Sequence, residues 1–357
     1  MKKLYNTVDR RVLKDKIVNS EEQRITISFY KYHRIGNPAF FRDFLFLHWE
    51  SLGVLGRTYV ASEGINAQIS VPEKNFEAFR EHLYSITFLD GVRLNIAYED
   101  NGKSFIMLKV KLRNKIVADG IDDPNFDPGN TGVHLKAEDF NRITDQPGTI
   151  LIDMRNHYES EVGHFENAIL PDVDTFREEI VVVEDMLKGK EDQNIVMYCT
   201  GGIRCEKASA YLKFKGFKNV HQLEGGIIKY AQDAKNAGLK NKFKGVNFVF
   251  DERFAERISD EIVAVCHQCG KPCDSHINCA NEGCHVLFIQ CDECKTKYNS
   301  CCCEECKDII ALPIEAQREL RKGKATARNI FRKGRSEKLV FQHHGEKVAQ
   351  KPVENTK

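Results

Sequence analysis

Cysteine is distributed very unevenly along this chain of 357 residues. Eleven of its 13 cysteines lie between Cys266 and Cys306, whereas Cys199 and Cys205 stand apart in the middle of the chain. The N-terminus lacks the apolar core of a signal peptide, and no apolar run approaches the roughly 20 residues that span a membrane, so we expect a cytoplasmic protein without membrane association. Cysteines crowded in a reducing compartment favour metal ligation over disulfides. The two isolated cysteines need a separate explanation.

Four closely spaced cysteine pairs form the ligand pattern of the crowded segment. Zinc takes four thiolate or imidazole ligands in a tetrahedron, and a short pair supplies two of them. Four pairs therefore suit two structural zinc sites, while an iron–sulfur cluster or no metal are the alternatives. The predicted ligands are Cys266, Cys269, Cys279, Cys284, Cys291, Cys294, Cys303 and Cys306. The spacing does not decide which pairs share a metal, and it leaves as spare candidates Cys273, Cys301, Cys302, His267, His276 and His285.

Two different patterns of apolar residues precede the cysteine-rich segment. The first predicts strands at 24–31, 56–62, 66–72, 93–99 and 105–112 and helices at 38–52 and 73–86. This order matches a ferredoxin-like βαββαβ unit. Short apolar strands then alternate with helices, at 149–153, 194–199 and 219–223, which predicts a parallel α/β sheet.

The fold class expected from these patterns is a multidomain protein that combines α+β and α/β architecture. Its apolar content of 41% and charged content of 29% are typical of globular proteins, and its net charge of +1 predicts no particular partner. The predicted divisions are an N-terminal arm at 1–22, a ferredoxin-like (acylphosphatase-like) domain at 23–118, a linker at 119–132, a parallel-sheet domain at 133–240, a cysteine-rich zinc-binding segment at 241–312 and a basic, flexible tail at 313–357.

The stretch YCTGGIRCE places Cys199 at the end of an apolar strand, just before an amphipathic helix with Ala208, Tyr211 and Leu212 facing inward. Reactive groups of open α/β sheets gather at this edge. Gly201 and Gly202 allow a tight loop whose amides and helix dipole favour an anion. The same field and the Arg204 guanidinium would lower the pKa of the thiol. The pattern therefore predicts a nucleophilic thiolate, the alternative being a buried structural cysteine.

Three segments in order resemble rhodanese domains: LIDMRNHYESEVGHFENAI (151–169), CTGGIR (199–204) and KGFKNVHQLEGGI (215–227). The resemblance implies that Cys199 is catalytic and that Arg204 acts beside it. It implies that Asp153 and Arg155 orient the loop, and we interpret His164 as structural. The remaining residues assigned to the active-site loop are Thr200, Gly201, Gly202, Ile203 and Cys205.

Cys205 departs from the family pattern, because many rhodaneses have Ser or Thr after the loop arginine. A second thiol at this position could resolve a persulfide or sulfenate on Cys199 as a disulfide. It could equally be a small first-turn residue packed under the loop. The sequence leaves both interpretations open.

Basic residues suggest where RNA could bind. Between Arg318 and Lys338 there are nine Lys or Arg residues and two Glu residues, a run that could follow a phosphate backbone or remain a solvated tail. The glycine turn of GRTYVASEGINAQIS gathers Arg57, Glu63 and Asn66, which could also be a structural hairpin. The RNA-binding candidates are Arg57, Arg321, Lys322, Lys324, Arg328, Arg332 and Lys333.

The whole chain resembles the bacterial oxygen-dependent tRNA uridine hydroxylases. The resemblance rests on ASEGINAQI, YCTGGIRCEKASAYL, FVFDERF and the segment beginning CHQCGKPC, and it spans roughly residues 20–335. It implies hydroxylation of the wobble uridine of tRNA at carbon 5, with O2 as co-substrate and the anticodon loop as the partner. No flavin, haem or nicotinamide motif and no protein partner is evident. The alternatives are a sulfurtransferase that carries a persulfide on Cys199 and a zinc-dependent RNA-binding protein with a non-catalytic rhodanese scaffold.

Overall fold

The structure is a computed structural model that describes residue 4, residues 6–322, residue 336 and residues 338–340. Four of the predicted RNA-binding residues, Lys324, Arg328, Arg332 and Lys333, lie outside this part of the chain. Helix α1 (Arg10–Val18) comes first, and Asp9 caps its N-terminus by accepting a hydrogen bond from the Arg11 amide. No helix in the described ranges is both long and apolar enough to cross a membrane.

The N-terminal domain is the predicted ferredoxin-like unit with one additional strand. Its five strands lie in the order β4-β1-β3-β2-β5, and all neighbours are antiparallel except β5, which runs parallel to β2. The elements are β1 (Arg24–Tyr32), α2 (Pro38–Ser51), β2 (Leu55–Ala61), β3 (Gly64–Pro72), α3 (Phe76–Tyr84), β4 (Asn95–Ile96) and β5 (Leu108–Leu112), with single 3-10 turns at Glu73–Asn75 and Thr87–Leu89.

Two strands of this domain are shorter than predicted. The strand expected at 105–112 begins at Leu108, because Leu108 lies opposite Gly56, the second residue of β2, and β2 does not extend far enough upstream to pair with residues 105 and 106. The strand expected at 93–99 is reduced to Asn95–Ile96, which pairs with Ile27 and Ser28.

The two faces of the N-terminal sheet have different surroundings. Because successive side chains of a strand alternate between faces, Ile27 and Phe29 of β1 face α2 and α3, where Trp49 is completely buried. Edge-to-face contacts between Phe29 and Trp49 mark this side as the core. The opposite side, which we call the open face, carries Thr26, Ser28, Tyr30, Arg57, Tyr59, Asn66 and Gln68.

The second domain is the predicted parallel sheet, with strand order β6-β10-β9-β7. Apolar clusters cover both faces, as expected of such a sheet. Alternation along β9 sends Val196 and Tyr198 into one cluster and Met197 and Cys199 into the other. The elements are β6 (Val133–Leu135), α4 (Ala137–Thr144), β7 (Ile150–Asp153), α5 (His157–Ser160), α6 (Phe176–Leu187), β9 (Asn194–Tyr198), α7 (Ile203–Phe214), β10 (Asn219–Leu223) and α8 (Gly226–Ala237).

Helix α7 follows the predicted amphipathic pattern with one difference. Ala208 and Leu212 are buried against α6 and the sheet, as predicted. Tyr211 is only half-buried, because its hydroxyl reaches past the core and donates to Glu184 at 2.6 Å.

The cysteine-rich part is joined to the second domain through main-chain pairing. Strand β11 (Phe243–Phe248) pairs on one side with β8 (Gly163–Phe165), which belongs to the second domain, and on the other with β12 (Ala255–Arg257). A short hairpin and three helices follow. They are β13 (His276–Asn278), β14 (Leu287–Ile289), α9 (Asp292–Lys297), α10 (Glu304–Ala311) and α11 (Ile314–Arg321).

Candidate active site

Cys199 lies where the sequence pattern predicts, between the end of β9 and the start of α7, and it is 1% exposed. The Gly202 amide donates to its Sγ at 3.1 Å. Gly202 has φ +100°, a conformation that favours glycine, and a Cβ there would lie 2.8 Å from the Tyr30 hydroxyl and displace it. The loop conformation therefore depends on this residue.

A second glycine holds the loop from the other side. Gly226, at the start of α8, has φ +66°, and a Cβ there would lie 2.5 Å from the Cys199 carbonyl oxygen. This close approach lets the amides of Ile227 and Ile228 donate to the carbonyls of Cys199 and Thr200, at 3.0 and 3.3 Å. Gly226 of the closing motif thus supports the backbone of the reactive loop.

The surroundings of Cys199 favour a thiolate. Burial alone would raise the pKa of the thiol, but hydrogen bonding from Cys205 and the positive charge of Arg204 outweigh it and lower the pKa to about 6. The amides at the start of α7 contribute in the same direction. Most Cys199 side chains are therefore ionised at pH 7.

Cys205 lies in the first turn of α7, completely buried beneath the loop. Burial and the neighbouring Cys199 thiolate raise its pKa, so it stays protonated and serves as a hydrogen-bond donor. This contact leaves both interpretations of Cys205 open.

Arg204 is held by a carboxylate to which the sequence pattern assigned no role. Its two terminal nitrogens donate to the two oxygens of Glu159 at 2.8 Å each, and Nη2 lies 3.5 Å from the Thr200 hydroxyl. Glu159 belongs to a capping box with Asn156 at the start of α5. The Asn-x-x-Glu spacing signals such a cap, but it does not indicate that the same carboxylate reaches Arg204.

Asp153 and Arg155 form a completely buried, bidentate ion pair at the end of β7. Arg155 also donates to the carbonyl of Gly163 in β8 at 2.6 Å. These contacts connect the pair to β8, and the orientation of the loop by Asp153 and Arg155 stays a prediction. His164, in the same strand, contacts the carbonyl of Ser160 through Nδ1 at 2.9 Å, which agrees with a structural role.

The open face of the N-terminal sheet covers the reactive loop. The Tyr30 hydroxyl donates to Glu206 at 2.8 Å, and Asn95 lies 3.5 Å from the Gly201 carbonyl. Beside them, the Lys207 ammonium is buried between Glu63 at 2.7 Å and Asp119. Glu63 of the predicted glycine turn therefore belongs to the junction between the domains.

A cavity of about 480 Å³ lies between the open face and the loop. Cys199, Thr200, Gly201, Ile203 and Arg204 form its floor, while Arg57 and Asn66 line the opposite wall. Residues 249–256 of the cysteine-rich part complete the enclosure, through Val249, Phe250, Asp251, Arg253 and Glu256. All three parts of the chain therefore contribute to one chamber around the thiolate.

Within the described residues, the crowded cysteines form two groups of four. Cys266 and Cys269 are grouped with Cys291 and Cys294, and the second group is Cys279, Cys284, Cys302 and Cys306. The second group therefore contains Cys302 and not the predicted ligand Cys303. The Cys302 Sγ lies 3.7 Å from that of Cys284 and 3.7 Å from that of Cys306.

The sulfur spacing in both groups fits zinc. Zinc–sulfur bonds of 2.3 Å in a tetrahedron place the sulfurs about 3.8 Å apart. Cys269 and Cys291 in the first group are 3.6 Å apart, close to the 3.7 Å of the second group. Four thiolates at this separation would repel one another without a cation between them.

Two predicted RNA-binding residues at the end of α11 are paired locally. Arg321 donates to Glu282 at 2.5 Å, and Lys322 lies 3.3 Å from Glu319. Their charges are therefore partly neutralised by carboxylates, whereas Arg57 lines the cavity.

The parallel sheet, the cysteine loop and its supporting glycines define a rhodanese-like protein. Residues 136–233 match the model of the rhodanese-like domain. Residues 24–116 match the UPF0176 acylphosphatase like domain, and residues 244–307 match a model described as rhodanase C-terminal.

Relatives over nearly the full length define the family more closely. The chain is 56% identical over 333 residues to tRNA uridine(34) hydroxylase of Photorhabdus laumondii subsp. laumondii, which covers 93% of this chain and 95% of that protein. The enzymes of the same name from Pectobacterium carotovorum subsp. carotovorum and Salmonella heidelberg are also 56% identical over 93% of this chain, covering 94% and 95% of their own lengths. The chain therefore belongs to the tRNA uridine(34) hydroxylase family.

Proposed function

We propose that this protein hydroxylates uridine 34 of tRNA at carbon 5, with O2 as co-substrate and the Cys199 thiolate as the nucleophile. The observation that carries the proposal is that Cys199, whose Sγ accepts a hydrogen bond from the Gly202 amide at 3.1 Å, lies on the floor of a 480 Å³ cavity. Membership of the tRNA uridine(34) hydroxylase family supports the substrate. Because uridine 34 lies in the single-stranded anticodon loop, turning it into the cavity costs little unstacking.

The chemistry follows from the polarity of uracil. Addition of the Cys199 thiolate to carbon 6 makes carbon 5 electron-rich, as in an enolate, and therefore open to an oxidant. One atom of O2 becomes the hydroxyl at carbon 5. The other leaves as water after accepting two protons and two electrons from an external reductant. Elimination of the thiolate from carbon 6 and loss of the carbon 5 proton then restore the ring.

The loop residues have positioning and electrostatic roles in this scheme. The Arg204 guanidinium, fixed by Glu159, supplies positive charge beside the thiolate and the developing enolate. The amides at the start of α7 contribute their dipole to the same region. These groups are organised before the substrate binds, so they need not reorganise during the reaction.

The proposal includes two structural zinc ions and a cytoplasmic location. Each zinc would be held by one of the two four-cysteine groups, and closed thiolate sites of this kind serve folding and leave no open coordination position. We retain as proposals that Asp153 and Arg155 orient the loop and that the basic residues from Arg321 onward contribute to tRNA binding.

The test is nucleoside mass spectrometry of tRNA from a strain without this gene or any parallel route to 5-hydroxyuridine. Complementation with the wild type should restore 5-hydroxyuridine and its derivatives, and complementation with Cys199→Ala should not. Cys303→Ser is the matched control, because it removes a thiol outside the loop and outside both metal groups. Equal amounts of the nucleoside with wild type and Cys199→Ala would contradict the proposal. Robust thiosulfate turnover without hydroxylation would assign the loop to sulfur transfer instead.

A further inference from the structure

The open face continues beyond the cavity onto strand β5. Arg57 and Tyr59 of β2 lie opposite Lys109 and Lys111 of β5 in the parallel register. Residues in register on neighbouring strands project to the same side of a sheet, so Lys111 lies beside Tyr59 on the open face. Arg113 follows β5, and its guanidinium carbon lies 5.2 Å from the centre of the Tyr59 ring. We call Arg57, Tyr59, Lys111 and Arg113 the Tyr59 platform.

The positive charges of the platform differ from other positive charges near the cavity in their pairing with carboxylates. Elsewhere on the wall, cations are neutralised by carboxylates, as in the pairs Arg204–Glu159 and Arg253–Asp251. By contrast, no carboxylate among residues 6–322 forms an ion pair with Arg57, Lys111 or Arg113. Lys111 and Arg113 are also exposed. The platform is therefore an uncompensated cationic surface.

The chemistry and layout of the platform favour single-stranded RNA over a small anion. A small anion is usually bound by donors that converge on one point, whereas these three cations are spread along two strands. A half-exposed tyrosine with a guanidinium close to its ring is a common surface for an unpaired base. Cations on both sides of such a ring suit the phosphates of the same strand.

The platform is continuous with the reactive cavity. Arg57, Tyr59 and Arg113 line the same chamber as Cys199. A uridine that reaches Cys199 remains joined to a phosphate on each side, and those phosphates must leave the chamber along its walls. Through Arg57, Tyr59 and Arg113, the platform offers this wall both positive charge and an aromatic ring.

We infer that the Tyr59 platform binds the nucleotide next to the target uridine, with the base on Tyr59 and the flanking phosphates on Arg57, Lys111 and Arg113. This inference rests on the proposed function, because it takes single-stranded RNA as the substrate. It assigns anticodon-loop recognition to the N-terminal domain in addition to any contribution of the basic tail.

The experiment compares two sets of three substitutions in the full-length protein. Arg57→Gln/Lys111→Gln/Arg113→Gln removes the charges of the platform. Arg142→Gln/Lys188→Gln/Lys218→Gln removes the same number of exposed charges outside the cavity, where each cation pairs with an exposed aspartate. The probe is an RNA stem-loop with uridine at the wobble position, and its affinity is measured over a series of salt concentrations.

Loss of three phosphate contacts should reduce the slope of log affinity against log salt by about 2, with no change for the control set. Tyr59→Leu should weaken binding roughly tenfold and leave the slope unchanged, because it removes stacking without charge. In steady-state assays the platform variants should raise KM and keep kcat at saturating RNA. Thermal unfolding of each variant verifies that the fold is intact.

Three results would overturn the inference. In the first, the platform variants keep the salt dependence of RNA affinity and the KM of the wild type. In the second, the salt dependence falls equally in the platform set and the control set, which would indicate non-specific attraction between the protein and RNA. The third is unchanged stem-loop binding combined with lost binding of inorganic phosphate, which would make the platform a small-anion site. Stem-loop binding that requires the platform, without formation of 5-hydroxyuridine, would instead contradict the proposed function alone.

Discussion

The two populations of cysteine in this chain differ in what surrounds the sulfur. At the loop, one thiol has an amide 3.1 Å away, a protonated thiol beneath it and a guanidinium beside it, so its negative charge is stabilised by donors that remain in place. In the cysteine-rich part, neighbouring sulfurs of the two groups approach one another to 3.6 and 3.7 Å, so thiolates there would repel one another unless a cation lay between them. The comparison indicates that the neighbours of a cysteine, and not the residue type, decide which of the two proposed roles its sulfur suits, nucleophile or metal ligand.

The largest effect is expected where a sulfur is removed from a metal group. Cys302→Ser should release about one zinc per chain and lower the free energy of unfolding by roughly 3 kcal/mol or more, because metal binding is coupled to folding. Cys303→Ser should retain the metal, since its sulfur lies outside both groups. Metal analysis and denaturant unfolding provide the measurements. Loss of zinc from Cys303→Ser but not from Cys302→Ser would reverse our assignment of the ligands.

At the loop, Arg204→Gln should change both stability and reactivity. Glu159 would keep a buried charge without its partner, which costs about 3 kcal/mol of unfolding free energy. The pKa of Cys199 should also rise from about 6 towards the ordinary value of about 8.5. The alkylation rate with iodoacetamide therefore reaches its plateau above pH 7 in the wild type and only at higher pH in the variant.

The double variant Glu159→Gln/Arg204→Gln separates these two effects. It should recover much of the lost stability, because neither charge remains, but the pKa of Cys199 should stay raised. Recovery of both properties would mean that Arg204 does not act on the thiolate through its charge.

Glu179 tests whether burial or the positive charge of Arg204 has the larger influence on the ionisation of a buried carboxyl group near the loop. It is completely buried in α6, neither of its oxygens has a hydrogen-bond partner within the described ranges, and burial raises its pKa despite the opposing charge of Arg204. A carboxyl group whose pKa is raised in the folded state stabilises the fold at low pH, where it is protonated. This stabilisation is lost as the pH rises above about 4.3, the pKa of glutamate in the unfolded chain. Glu179→Gln lacks this titration.

The unfolding free energy of Glu179→Gln should therefore improve relative to the wild type by up to about 1.4 kcal/mol for each pH unit above 4.3, until the raised pKa is passed. Urea unfolding between pH 4 and pH 7 is the measurement. A difference that is constant over this range would show that Glu179 ionises normally.

The smallest effect on stability is expected from Cys205. Cys205→Ala removes the hydrogen bond that contributes most to lowering the pKa of Cys199, so it should raise that pKa at least as far as Arg204→Gln does, whereas Cys205→Ser should change it less. The pH dependence of alkylation measures both. Mass spectrometry of the protein after oxidation tests the disulfide interpretation, which predicts a Cys199–Cys205 linkage and its absence in both variants.

Local features of the fold and the site were predictable from the sequence, because strand ends, glycine turns and short cysteine pairs are encoded by neighbouring residues. The membership of Cys302, and not Cys303, in the second four-cysteine group was not predictable. Residues 301–303 are adjacent cysteines just before α10, and spacing alone does not reveal which side chain turns towards the other sulfurs. The covering of the loop by the N-terminal sheet was also not predictable, because contacts such as that of Tyr30 with Glu206 join residues 176 positions apart.

The covering of Cys199 by the N-terminal sheet has a consequence for how readily the thiolate is oxidised in the cell. A thiolate that persists at neutral pH would be consumed at a bare surface by peptide disulfides and other bulky oxidants. At 1% exposure, Cys199 reacts only with molecules that fit through the chamber. In the proposed reaction the chamber would admit dioxygen and an extruded base, while its walls would hinder the approach of bulkier disulfides to the sulfur.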